Sequence, residues 1–182
     1  MKTIFNHFLL GISLVFFASS CATAEPAASI EEMPVTVESL PASEVSTENW
    51  SERAQEVLIN ALSLSGIRYK YGGNSPETGF DCSGFVSYVF KQATSLTLPR
   101  SALAMSRLGT TVPKSELKPG DLVFFNTLKS AFSHVGIYVG DNRFIHSPRS
   151  GGSVRIESME NSYWSKRFNG AQRLESDKEV SK

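Results

Sequence analysis

The sequence predicts an α+β fold, with amphipathic helices in the first half and an antiparallel sheet of short apolar strands in the second. Three observations carry this. Apolar residues recur on one helix face at Ala54, Val57, Leu58, Ala61 and Leu62, and again at Phe85, Val86, Val89 and Phe90. Strand-like runs follow at 121–125, 133–139, 143–147 and 154–157, separated by Gly, Pro, Asn and Asp. The chain has 182 residues, 41% of them hydrophobic, with 18 basic and 18 acidic side chains, so one core and one domain are expected.

The N-terminus stands apart. Residues 1–20 pair Lys2 with an apolar run from Ile4 to Ala18 and read as a secretory signal, too short and too early for a spanning helix. Phe17-Ala18-Ser19-Ser20-Cys21 resembles a bacterial lipobox, in which Cys21 would be lipidated and become the new N-terminus; cleavage after Ala22-Thr23-Ala24 is the competing reading. Either places the chain in a bacterial envelope. Residues 21–48 follow as a tether: from Ala22 on they hold six Glu, Pro26, Pro34 and Pro41, and no Lys or Arg. As a flexible coil this stretch spans roughly 30 Å, and about 90 Å fully extended.

The folded unit is expected over 49–174, with a polar tail at 175–182. Asn49 and Glu52 form a capping box for a first helix that stops near Gly66. A turn-rich stretch from Asn74 to Gly79 leads to Asp81, an N-cap for a second helix opening at Cys82. Ser101 caps a third helix through Leu108, closed by Gly109, and Leu117-Lys118-Pro119-Gly120 turns the chain into the strands. From Asn49 onward 17 basic residues face 12 acidic ones, an excess that suits a polyanionic surface or a merely solvated basic face. No nucleic-acid partner is expected, and a monomer is.

With Cys21 near the signal, Cys82 is the lone thiol of the folded region, and a disulfide framework is not expected. A lone cysteine is more often a small core hydrophobe than a nucleophile. Here Asp81 and Ser83 flank it and Gly84 leaves room, while a helix N-terminus would favour thiolate and offer N–H groups to an oxyanion. The two histidines outside the signal, His134 and His146, lie on neighbouring strands. Val135, Ile137 and Val139 share one face, so His134, Gly136 and Tyr138 share the other. A three-residue loop at Gly140-Asp141-Asn142 would set Gly136 opposite His146 and make the imidazoles diagonal neighbours; a two-residue loop would separate them onto opposite faces. The chemistry such a set supports is acyl transfer through a thioester, with Cys82 as nucleophile, His134 as base and His146 as a neutral orienter. No CxxC, HExxH or His-rich tract occurs, so neither metal nor cofactor is expected.

Tyr69-Lys70-Tyr71-Gly72-Gly73, Phe80-Asp81-Cys82-Ser83-Gly84, Leu98-Pro99-Arg100-Ser101, Leu117-Lys118-Pro119-Gly120-Asp121-Leu122, Ser133-His134-Val135-Gly136-Ile137-Tyr138 and Ile145-His146-Ser147, in that order, resemble the NlpC-type cysteine peptidases of bacterial cell walls. The resemblance covers about Ser51 to Arg173. It implies a papain-like core, Cys82, His134 and His146 as the catalytic set, Tyr69 near the oxyanion, and Asp81 and Ser83 at the amino end of a wall peptide. It further implies peptidoglycan stem peptides as substrate and a lipid-anchored, outer-membrane position facing the periplasm. The rival expectations are a non-catalytic wall-binding lipoprotein and a thioester-forming acyltransferase on the same core.

Overall fold

In the computed structural model the described residues are 42–127, 130–149 and 151–174, with side chains from Ser51 onward. The signal, Cys21, the tether up to residue 41 and the tail at 175–182 lie outside them. All the described residues fall in one compact unit.

The elements in order are helix α1 (Ala42–Ser63), a small hairpin of β1 (Asn74–Ser75) and β2 (Gly79–Phe80), helices α2 (Cys82–Thr94) and α3 (Ala102–Met105), and β3 (Thr110–Thr111). After a single 3-10 turn come β4 (Leu122–Phe125), β5 (His134–Gly140), β6 (Arg143–His146), β7 (Arg155–Ser158), α4 (Ser162–Ser165) and β8 (Phe168–Arg173). Six strands form one antiparallel sheet in the order β3-β8-β4-β5-β6-β7.

At its centre the sheet is buried on both faces, which is why Leu122-Val123-Phe124-Phe125 of β4 is apolar throughout rather than alternating. Leu122 and Phe124 join Val135, Ile137 and Ile145 in a core completed by Phe85, Val86, Val89 and Phe90 of α2 and by Val57 and Ala61 of α1. Val123 and Phe125 point the other way, into a second cluster with Tyr138, Phe144, Trp164 and Ala171. The four α2 side chains are buried to within 1% of their surface, each worth about 1.5–3 kcal/mol of burial, so α2 is fixed from Phe85 to Phe90 in the core it shares with the sheet.

Several expectations are corrected. Helix α1 begins at Ala42, seven residues before the expected cap, so Asn49 lies inside it and the last part of the assigned tether is helical. Its end agrees, with Gly66 at φ +87° just beyond. Helix α3 stops at Met105, not Leu108. Ser106 Oγ donates back to the Leu103 carbonyl at 2.8 Å and the Ser106 carbonyl accepts from the Gln172 side chain at 2.9 Å, which removes the partners of a further turn. Strand β8, not expected from its mixed Phe-Asn-Gly-Ala-Gln-Arg composition, lies between β3 and β4.

The most consequential correction is the β5–β6 turn. Its loop has two residues, Asp141 and Asn142, at φ +50° and +53°, and Gly140 pairs with Arg143. Alone this would separate the histidines. A β-bulge at Val139 shifts the register by one, so that Tyr138 pairs with Phe144 and Ile137 with Ile145. Gly136 therefore faces His146, whose Cβ lies 3.1 Å from where a Gly136 side chain would begin. The expected facing is correct, and a two-residue loop plus a bulge produces it.

Candidate active site

Cys82 is the first residue of α2, and the element that puts it there is the cap. Asp81 Oδ1 accepts from the Gly84 N–H at 2.6 Å and Oδ2 from the Gly72 N–H at 3.0 Å. One carboxylate thus starts the helix and ties it to the Tyr69–Gly73 segment. Arg100 Nη1 donates to Asp81 Oδ1 at 3.3 Å and Nη2 to Oδ2 at 3.1 Å, and Nη2 also reaches the Gly72 and Gly73 carbonyls at 3.4 Å. Ser83 is buried and donates to Asp81 Oδ1 and the Arg100 carbonyl. Asp81 and Ser83 line the cleft while both are engaged within the protein. Arg100, missed as a site residue in the sequence, is what neutralises Asp81.

The cleft has a volume of about 890 Å³. Cys82, Tyr69, Asp81, Ser83 and His134 all line it. Tyr69 is half-buried, whereas Tyr71 is 86% exposed at the rim. Ser147, next to His146, donates to the Phe80 carbonyl at 2.7 Å, joining the end of β6 to the approach to Cys82.

His134 and His146 are both buried, and His134 Nε2 lies 2.7 Å from His146 Nδ1. Trp164 stacks on His134 with centroids 5.5 Å apart and meets His146 edge-on at 4.9 Å. Behind His146 stands Glu157 of β7, with Oε1 3.6 Å from His146 Nε2, an ion-pair separation longer than a hydrogen bond. Trp164 Nε1 donates to Glu157 Oε2, and Arg155 Nε to Oε1 at 2.6 Å. Glu157, Arg155 and Trp164 were not anticipated as site residues.

Burial, and then the neighbouring His146, depress His134 to a pKa of about 3, so it is neutral. Burial also lowers His146. The Cys82 thiol is raised, by burial and then by Asp81, against the pull of the Val135, Ser83 and Cys82 amides. The helix N-terminus was expected to favour thiolate; desolvation outweighs it. Tyr69 is raised too, by burial, Cys82 and Asp81, and keeps its phenolic proton. The resting cleft is lined by a neutral thiol and by a neutral His134 backed by a neutral His146. Among the described residues no group of three or more His, Cys, Asp or Glu could hold a metal ion.

The NlpC/P60 family model matches residues 66–173. The murein DD-endopeptidase MepH of Escherichia coli strain K12 is 44% identical over 127 residues, 68% of this chain and 47% of that protein. The murein DD-endopeptidase MepS/murein LD-carboxypeptidase of the same strain is 46% identical over 109 residues, 60% of this chain and 56% of that one. The chain thus spans about half the length of these relatives. Among solved structures, an NlpC/P60 family protein from Bacillus cereus ATCC 10987 superposes with a TM-score of 0.63 at 35% identity, over 68% of this chain and 40% of that one.

Proposed function

The chain belongs to the NlpC/P60 family and has its papain-like fold, and from that premise we propose that it is a peptidoglycan hydrolase, a cysteine endopeptidase that cuts amide bonds in murein stem peptides. The observation that carries the reading is the 2.7 Å contact by which the buried His146 backs His134, a residue lining the cleft that also holds Cys82.

In this reading His134, neutral at rest, takes the Cys82 proton as the sulfur attacks the amide carbonyl. The Cys82 and Ser83 amides, together with the still-protonated Tyr69 hydroxyl, receive the oxyanion. Collapse breaks the C–N bond and His134 returns its proton to the leaving amine. Water, deprotonated by His134, then hydrolyses the thioester and restores the thiol. Asp81, held by Arg100, keeps the nucleophile helix capped and presents its remaining lone pairs to the amino end of the peptide. We place the protein in the bacterial cell envelope, with Cys21 as the attachment point of a lipid and residues 22–41 as the reach from the membrane.

The test is digestion of defined muropeptides by the full chain beside Cys82→Ala, read by mass spectrometry. Fragments from the native protein alone establish the peptidase, and their masses name the bond, whether between D-Glu and the diamino acid or at the cross-link. No cleavage of monomeric or cross-linked stems by a folded protein overturns the reading.

A further inference from the structure

The acid-base line does not end at His146. We propose that Glu157 is a positioning residue that fixes the tautomers of both histidines and thereby leaves His134 Nδ1 free to receive the Cys82 proton. The inference rests on the peptidase reading for its consequence, but not for its geometry.

His134 spends Nε2 on His146, so only Nδ1 remains to act as a base. Two proton arrangements satisfy the 2.7 Å contact. If His146 carries its proton on Nδ1, it donates to His134 Nε2, and the neutral His134 must then be protonated on Nδ1, where it cannot accept from a thiol. If His146 carries its proton on Nε2, its Nδ1 accepts from His134 Nε2–H, and the His134 Nδ1 lone pair is free. Whatever faces His146 Nε2 selects between them.

That group is Glu157, with Oε1 3.6 Å away. A carboxylate can only accept, so it favours the second arrangement. On every side the carboxylate is met by donors: His146 from β6, Arg155 from its own strand and Trp164 from α4. These hold it well below the ordinary range, to about 2, through the His146 contact first and then Trp164 and Arg155, so it stays ionised. Pairing of Phe144 with Glu157 and of His146 with Arg155 puts the carboxylate on the face of the sheet that carries His146. His146, 0% exposed, has no formed hydrogen bond on Nε2 among the described groups, so this approach is its available partner.

Substitution separates positioning from packing. Gln is nearly isosteric with Glu but has one oxygen for two donors: the buried Trp164 Nε1–H keeps it, the half-exposed Arg155 swings out to water, and the NH₂ takes the Oε1 place facing His146 Nε2, which reverses both tautomers. Asp is smaller but still accepts only. A packing role therefore predicts that Glu157→Gln is the milder change, whereas a positioning role predicts that Glu157→Asp is.

The experiment is ¹⁵N imidazole NMR of the full chain, native and variant, with muropeptide kinetics across pH. Expected are Nε2–H tautomers at both histidines in the native protein, their reversal in Glu157→Gln, and a kcat loss of about 10- to 100-fold in Gln with KM little changed, Asp falling in between. Native Nδ1–H at His146, which needs no variant to measure, overturns the proposal. So does a folded Glu157→Gln with native tautomers, or with higher kcat than Glu157→Asp. If no form cleaves muropeptides, the peptidase reading fails while the NMR result still decides the tautomers.

Discussion

His134 Nε2 and His146 Nδ1 face each other at 2.7 Å because an unpaired residue, Val139, sits between the tight turn and the histidines. Gly140 makes that bulge possible at φ +98°, and a side chain there would meet nothing closer than Pro119 Cγ at 3.8 Å. The cost of Gly140→Ala is therefore backbone strain rather than collision. We expect a loss of about 1–2 kcal/mol in urea unfolding. An unchanged midpoint would mean that the bulge does not need the left-handed residue.

Gly136→Ala tests the other side of the same relationship. A Cβ there would lie 2.7 Å from Phe144 Cδ2, 2.9 Å from the Ile145 carbonyl and 3.1 Å from His146 Cβ, all in the buried sheet. Strand β6 must retreat and take His146 with it. The expected outcome is a destabilisation of about 1–3 kcal/mol and a fall in muropeptide cleavage larger than that of Gly140→Ala. Equal activity in the two variants would argue that the His134–His146 separation does not matter.

The thiol makes a third prediction. With Cys82 raised by burial and His134 depressed, the resting site holds no thiolate–imidazolium pair. Alkylation by iodoacetamide should climb with pH through a midpoint above the ordinary thiol range, without a plateau at acid pH. A plateau persisting below the ordinary imidazole range would establish the ion pair and reverse the proton inventory of the site.

What could be read in the sequence was local. Asp81 capping a helix at Cys82, and the facing of His134, need only a cap residue and the alternation of Val135, Ile137 and Val139, and both stand. The histidine register was right in outcome but not in cause, because Val139 looks the same in a chain of letters whether paired or bulged. Glu157 was out of reach for a different reason. Its place depends on β7 pairing with β6 and on Trp164 returning from a later helix, so Val154-Arg155-Ile156-Glu157 reads simply as an alternating strand. Arg100 likewise meets Asp81 across a sequence separation of 19, with helix and turn between them. The start of α1 was misplaced because a good capping box can sit inside a longer helix.

The buried imidazole pair should also set the acid stability of the fold. His134 has a pKa of about 3 when folded against an ordinary 6.5, the depression arising mainly from burial. Between those values the unfolded chain binds a proton that the folded chain refuses, so acid favours unfolding, by about 1.4 kcal/mol per pH unit for one proton. The contribution is complete above about pH 6.5 and is lost as pH falls toward 3. His146, also lowered by burial, acts in the same direction, and Glu157 extends the loss below its ordinary 4.5 toward about 2. Urea unfolding from pH 8 to pH 4 should therefore show stability falling as pH drops below the imidazole range. In His134→Gln, which cannot titrate, the slope should flatten by close to one proton, even if the variant is less stable at pH 8. An equal slope in the two proteins would mean that His134 is already protonated when folded, and the neutral base assigned to it would have to be withdrawn.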